Sequence, residues 1–153
     1  MKTTSRRSLR NAQSGVMLLE ALIGILIFSV GILAMIGMQA MGIRLAADSR
    51  DRAEASNLAS QLVGEMWLNR AALASYEYAG SGTPPPALTD WVARVDASLP
   101  GATAHPPIVT VGAATWVPEP GVASPGTQTT VTLRWISPSD TTVHQYVMTA
   151  YIN

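Results

Sequence analysis

The sequence contains no cysteine and few charged residues. Without cysteine there can be no disulfide bonds, thiolate metal sites or cysteine nucleophiles. Charged residues make up 13% of the chain, about half of the proportion in ordinary soluble domains. The two histidines, His105 and His144, lie far apart without a partner at helical spacing, which makes a weak case for a metal site. Because hydrolase, metalloprotease and phosphate-loop motifs are also missing, we expect neither an enzyme nor a cofactor.

The basic residues are concentrated at the start of the chain. The stretch 1–15 holds four of them and no acid, and the remainder carries a net charge of −4. A mature chain lacking this basic start would be mildly acidic, which argues against nucleic acid as a partner. The four residues are Lys2, Arg6, Arg7 and Arg10.

A long apolar run follows this basic start. Its 23 residues from Ala21 to Ile43 carry no charge, and as a helix they would span roughly 34 Å, enough to cross a bilayer core. The preceding basic residues place the N-terminus in the cytoplasm and the C-terminal part beyond the inner membrane. A secretory signal has a shorter apolar region of about 7–15 residues. We therefore predict a single membrane-spanning helix.

One carboxylate, Glu20, stands at the head of the apolar run. The nearest charged residues are Arg10 and Arg44. An ionised acid at membrane depth costs on the order of 2.5–3.5 kcal/mol even on the mildest insertion scale, and acids in such segments are functional by default. Glu20 is therefore our first candidate for a functional residue.

The residues around Glu20 form a specific pattern. In QSGVMLLE, residues 13–20, a basic leader ends in Gly15 and Glu20 is the fifth residue after it. This pattern resembles the class III signal of type IV pilins and pseudopilins. The resemblance implies that a prepilin peptidase cuts between Gly15 and Val16 and methylates the new amino terminus of Val16. It also implies that Glu20 docks the subunit by facing the positive amino terminus of a neighbour, so that each charge offsets the other's desolvation.

The longer segments 15–40 and 55–70, together with DWVARVDASLPG at 90–101, resemble minor pilins of the PilV type, called type IV pilus modification proteins. The resemblance implies a priming or tip complex with other minor pilins that promotes pilus assembly. The implied partners are prepilin peptidase, other minor pilins, the major pilin, the inner-membrane assembly platform and an adhesin at the tip. Many major pilins have proline where this chain has Gly37, which weakens the expectation of a bend between Ser29 and Gly37.

Two other functions remain open from the sequence. A minor pseudopilin of a type II secretion system would share the leader, Glu20 and the fold. An ordinary single-span anchor carrying a periplasmic binding module would share the apolar segment and keep an intact leader.

The resemblance and the residue patterns together predict an α+β, pilin-like fold, in which a long N-terminal helix packs against a small antiparallel sheet. The leader is 1–15, the transmembrane or filament-core half of the helix is 16–43, and the periplasmic globular domain is 44–153. Within that domain we expect the second half of the helix at 44–75, a linker and short helix at 76–101, and the sheet at 107–153.

Finer patterns place the core and the loops. An apolar stripe that includes Leu58 and Leu62 predicts the buried face of the helix, and the charged stretch 44–54 predicts a solvated face. Val131, Leu133 and Trp135 alternate with mostly polar residues and predict the buried face of a strand. Trp91 is expected to pack in the core. The expected strands are 107–112, 114–119, 127–137 and 141–153, with a loop at 119–126.

Overall fold

The computed structural model describes residues 10–119, 122–138 and 141–153, with side chains from residue 15 onward except 115–125. It confirms an α+β fold with a long N-terminal helix and a three-stranded antiparallel sheet. The chain divides into two compact units, one that ends at Arg44 and one that is Leu45–Asn153. The elements are α1 (Arg10–Leu68), a 3₁₀-helix (Arg70–Tyr76), α2 (Thr89–Ser98), a 3₁₀ turn (Ala102–Ala104), β1 (Ile108–Glu119), β2 (Val122–Trp135) and β3 (His144–Ile152).

Helix α1 begins earlier and ends earlier than the sequence predicts. It starts at Arg10 instead of Val16, and it gives way at Asn69 to the 3₁₀-helix instead of continuing to 75. The Asn69 amide donates to the carbonyls of both Glu65 (3.1 Å) and Met66 (3.2 Å), which tightens the last turn. Its side-chain amide donates to the Tyr76 hydroxyl at 2.8 Å. These local bonds, with the burial of Leu73 and Tyr76, outweigh the helix propensity of the alanines that follow.

The core of the second unit lies between α1, α2 and the sheet. The predicted stripe on α1 is confirmed, and Trp91 from α2 is buried as expected. The Trp91 indole N–H donates to the carbonyl of Leu58 at 3.0 Å, so its one polar atom is satisfied where it lies against α1. The α1 residues that are buried here are Ala55, Leu58, Ala59, Leu62 and Met66.

The sheet has the order β1-β2-β3, with both pairs antiparallel. The predicted face of β2 is confirmed, since Val131, Leu133 and Trp135 are fully buried. The predicted break between 112 and 114 is wrong, because β1 runs through both segments and pairs with β2 along Ile108–Trp116.

The predicted loop at 119–126 is also wrong for most of its length. Residues 122–126 belong to β2 and pair with β1 alone, since the pairing of β3 with β2 begins at Thr127. Pro125 is compatible with a strand here, because no third strand requires a donor from its nitrogen. Pro125 and Gly126 therefore belong to the outer part of a β-hairpin, and residues 120 and 121 lie outside the described ranges.

The predicted solvated face of the charged stretch 44–54 is only partly correct. The Asp48–Arg52 pair forms at 3.2 Å, as the i, i+4 spacing indicates. Asp48 and Asp51, however, are partly buried and face the sheet. The Ser137 hydroxyl donates to Asp51 at 3.2 Å, and the His144 imidazole lies 3.9 Å from Asp48. Helical periodicity places these acids next to the core stripe, because positions 48, 51 and 55 recur every three to four residues.

Candidate functional site

The N-terminal part of α1 carries an exposed apolar surface. Its large apolar side chains between residues 16 and 43 are all exposed, with exposed fractions from 43% at Ile32 to 73% at Met17. Among the described residues, this is the one helix that is long and apolar enough to cross a membrane. An apolar surface of this extent is typical of a segment that lies in lipid or against other helices.

Glu20 is the one formally charged side chain of this surface. It is exposed, and no described residue forms an ion pair or hydrogen bond with it. Ser29, by contrast, donates its hydroxyl hydrogen to the carbonyl of Ile25 at 2.7 Å, so its polar group is satisfied within the helix. Among the side chains that the structure describes, the carboxylate of Glu20 has no partner, and it needs one if this part of α1 is to leave water.

Glu20 shares a face of α1 with three glycines. At about 100° of rotation per residue, Gly24, Gly31 and Gly42 fall within roughly 20° of one line along the helix, and Glu20 lies roughly 40° from it. A Cβ added at any of these glycines would meet nothing within 4 Å. Because glycine lets a second helix approach closely, this glycine face (Gly24, Gly31, Gly42) would bring a packed helix close to the Glu20 carboxylate.

The predicted cleavage site lies within α1. Gly15 and Val16 are both helical. Among the described residues, a Cβ added at Gly15 would meet nothing within 4 Å, and the Val16 side chain is 66% exposed. Both side-chain positions at the predicted cleavage bond are therefore exposed. Residues 1–9 of the predicted leader lie outside the described residues.

The remaining candidates from the sequence do not assemble into a catalytic or metal site. Within the described ranges no group of three or more potential ligands could hold a metal ion. His144 is half-buried and stacks on Trp135 with ring centroids 5.8 Å apart. His144 and Asp48 are 96 positions apart in the sequence, so no local motif could have indicated their contact. The one sequence feature that points to it is that Asp48 lies at helical spacing from the buried residues of α1.

Comparisons of this chain with protein-family models, with curated proteins and with solved structures find no match. Function must therefore be argued from the residues and from the geometry of α1.

Proposed function

We propose that the protein is a minor pilin of a type IV pilus, of the PilV type. The observation that carries this proposal is an uncovered apolar helix with one unpaired acid, Glu20, five residues after a glycine that ends a basic leader. Each feature alone suits an ordinary anchor. Their combination at this spacing is what the prepilin resemblance requires.

The proposed sequence of events starts at the inner membrane. The precursor inserts with its basic start in the cytoplasm and with residues 45–153 in the periplasm, as the positive-inside rule indicates. Prepilin peptidase then cuts after Gly15 and methylates Val16. Cleavage removes the four basic residues of the leader and leaves the apolar helix with a positively charged end.

Assembly follows from the energetics of two unpaired charges. The Glu20 carboxylate and the free amino terminus of a neighbouring subunit are each costly in a low-dielectric medium, and bringing them together offsets both costs. The glycine face that Glu20 shares allows the neighbouring helix to come close. In this way the mature chain joins other minor pilins in a complex that primes the filament and stays at its tip, beneath an adhesin, with the major pilin following from the assembly platform.

The test is the mass of the mature chain and the identity of its companions. Chain purified from cells should begin at methylated Val16, and cross-linking before purification should recover other pilins. A Gly15→Leu variant should accumulate as full-length precursor in the inner membrane. Gly42→Ala is the matched control, since it changes a glycine of the same helix outside the cut site and should be processed normally.

Two results would overturn the proposal. One is endogenous protein that retains its first 15 residues, which would leave a simple membrane anchor. The other is a processed chain whose cross-linked companions belong to a secretion system, which would make it a pseudopilin.

A further inference from the structure

The two edges of the sheet differ in what covers them. At the β1 edge the chain adds one residue of strand, because Tyr78 and Val109 exchange both backbone hydrogen bonds, at 2.9 and 2.8 Å. At the β3 edge, no backbone hydrogen bond joins residues 145–150 to any described residue outside the sheet. We call this stretch of β3 the open edge, since no described part of the chain pairs with it.

The bonds between Tyr78 and Val109 also fix which backbone groups face away from the sheet at the open edge. In an antiparallel sheet the N–H and C=O of one residue point to the same side, and successive residues alternate. Those of Val109 point away from β2, so its partner Val131 points toward β3 and bonds to Met148. The residues of the open edge whose N–H and C=O groups point outward are consequently Gln145, Val147 and Thr149.

One row of side chains across the sheet shows what the open edge lacks. Val109, Val131 and Met148 are register partners on the face that forms the core. Val109 and Val131 are fully buried, whereas Met148 is only partly buried. Tyr146, the next residue of β3 on the same face, is also only partly buried. Among the described residues, the core is thus complete where Tyr78 pairs with β1 and incomplete along β3.

β3 also lacks the features by which proteins commonly protect an edge strand, which are charged residues, prolines and bulges. Its sequence, His144–Ile152, contains no Asp, Glu, Lys, Arg or Pro. Its pairing with β2 runs over this whole length without a register shift. The Val147 side chain beside the edge is 50% exposed. An unprotected edge of this kind is a template for a further strand.

We propose that the open edge binds an extended strand of a partner protein, which adds to the sheet beside β3. The backbone of that strand bonds to the outward N–H and C=O groups of the open edge. Its apolar residues, at every second position, cover Tyr146 and Met148 as Tyr78 covers the other end of the row. The strand carries no charge along this stretch, because β3 offers none to pair with it. This inference goes beyond the proposed function and does not depend on it.

A second copy of this chain fits the open edge less well than a partner strand. Two β3 strands paired antiparallel are related by a two-fold axis perpendicular to the sheet, which reverses every direction in the plane of the sheet. The stretches 45–68 of the two α1 helices would then run in opposite directions. Chains anchored in one membrane by their N-terminal helices must instead enter the pair from the same side.

Residue-resolved amide exchange, measured by NMR on the full chain in detergent micelles, tests the proposal. The probe is a peptide with the sequence of residues 143–153 followed by two lysines for solubility. This sequence has apolar residues at every second position and no acidic or basic side chain other than one histidine, and the peptide brings no α1 helix with it. We expect saturating peptide to slow exchange about threefold or more at the three outward amides. The amides of Tyr146 and Met148, which point toward β2, should not change.

Variants of the chain test where the peptide binds. Val147→Pro removes an outward N–H that makes no bond to β2, so the edge tolerates the proline but offers one donor fewer. Met148→Lys places an ammonium group where the added strand would bury it. Both variants should lose the protection, whereas Thr110→Lys, at an exposed position of β1, should retain it. Slow exchange of the buried stretch 58–66 shows which variants are folded.

The proposal fails if a peptide of the same composition, reordered so that the alternation is lost, protects the outward amides equally. It also fails if the protection survives in folded Val147→Pro or Met148→Lys protein, or if it extends equally to the amides that point toward β2. Outward amides that are already protected without peptide would mean that the chain itself or a second copy occupies the edge. Dependence of that protection on protein concentration would identify the second copy.

Discussion

At the scale of single residues, the sheet contains one place where a glycine is required by a neighbour. Tyr151 on β3 reaches across Gly126 on β2, and its hydroxyl donates to the carbonyl of Ala114 on β1 at 3.2 Å. A Cβ added at Gly126 would lie 2.6 Å from the hydroxyl oxygen of Tyr151 and 2.8 Å from its ring edge. One tyrosine thus connects all three strands over a position that has no side chain.

Gly126→Ala should consequently lower stability. The methyl group displaces the outer end of Tyr151 and breaks its bond to Ala114, a loss of about 1 kcal/mol, since a single hydrogen bond contributes roughly that amount. Urea unfolding of the purified chain measures the change. Gly112→Ala in β1 is the matched control, because a Cβ there would meet nothing within 4 Å and alanine also reduces the entropy of the unfolded chain. Equal stability of the two variants would show that Tyr151 moves aside without loss.

Glu20 is the residue on which the proposed assembly depends. In Glu20→Gln the side chain keeps its size and loses its charge, so a neighbouring amino terminus would be left unpaired in a low-dielectric medium, at a cost of about 3–5 kcal/mol. We expect normal cleavage at Gly15 and a more than tenfold loss of cross-linked pilin partners. Glu77→Gln, at an exposed position of the second unit, should lose none. Undiminished recovery of partners with Glu20→Gln would remove the docking role.

At the scale of elements, α1 is defined by two different surfaces. From Leu45 to Leu68 one stripe is buried, whereas the side chains of residues 21–43 are all exposed and mostly apolar. On that exposed part, Gly24, Gly31 and Gly42 lie on the same face as Glu20. Gly37 lies roughly 140° from Gly24 around the helix, so it is outside the glycine face that Glu20 shares.

Because Gly31 lies on the glycine face and Gly37 does not, leucine at these two positions should affect partner binding unequally. Gly31→Leu fills the face on which a neighbouring helix would approach, and overpacking of such a contact costs about 1–3 kcal/mol. We expect fivefold or greater loss of cross-linked partners with Gly31→Leu and little change with Gly37→Leu. Neither glycine has an atom within 4 Å of an added Cβ, so neither substitution should unfold the chain. Equal loss in both variants would mean that the glycines only set helix flexibility.

The periodicity of apolar residues was enough to predict the elements that bury one face. Apolar residues recur about once per helical turn along α1 and at every second position along β2, so the buried face of each could be predicted from the sequence. The outer part of the β1–β2 hairpin was not, since Pro125 and Gly126 are typical loop residues, and they are acceptable in β2 because the pairing of β3 begins only at Thr127. The end of α1 was also missed, because Asn69 and the burial of Tyr76 oppose local helix propensity.

At the scale of the whole molecule, the candidate site and the fold were predictable to different degrees. Gly15, Val16 and Glu20 form a local pattern, and the structure leaves all three exposed. The contact between Asp48 on α1 and His144 on β3 joins residues that are far apart in the sequence. Spacing along the chain therefore indicates the N-terminal site, whereas the tertiary structure is needed to find this contact.

The division into two units predicts that the second one folds alone. Every buried apolar side chain in the described ranges belongs to residues 55–152, and none belongs to 15–44. Removing residues 1–44 deletes only exposed side chains among those described, so its effect on the free energy of unfolding should be below about 1 kcal/mol. The shortened chain should be soluble without detergent and should unfold cooperatively in urea.

A second truncation makes this test specific to α1. Removing residues 1–57 also deletes Ala55 from the core and the polar contacts that Asp48, Asp51 and Ser56 make with the rest of the second unit. We expect that chain to lose at least about 2 kcal/mol, because a core contact and several polar contacts disappear together. If the chain lacking only residues 1–44 failed to unfold cooperatively, residues before Leu45 would have to stabilise the second unit.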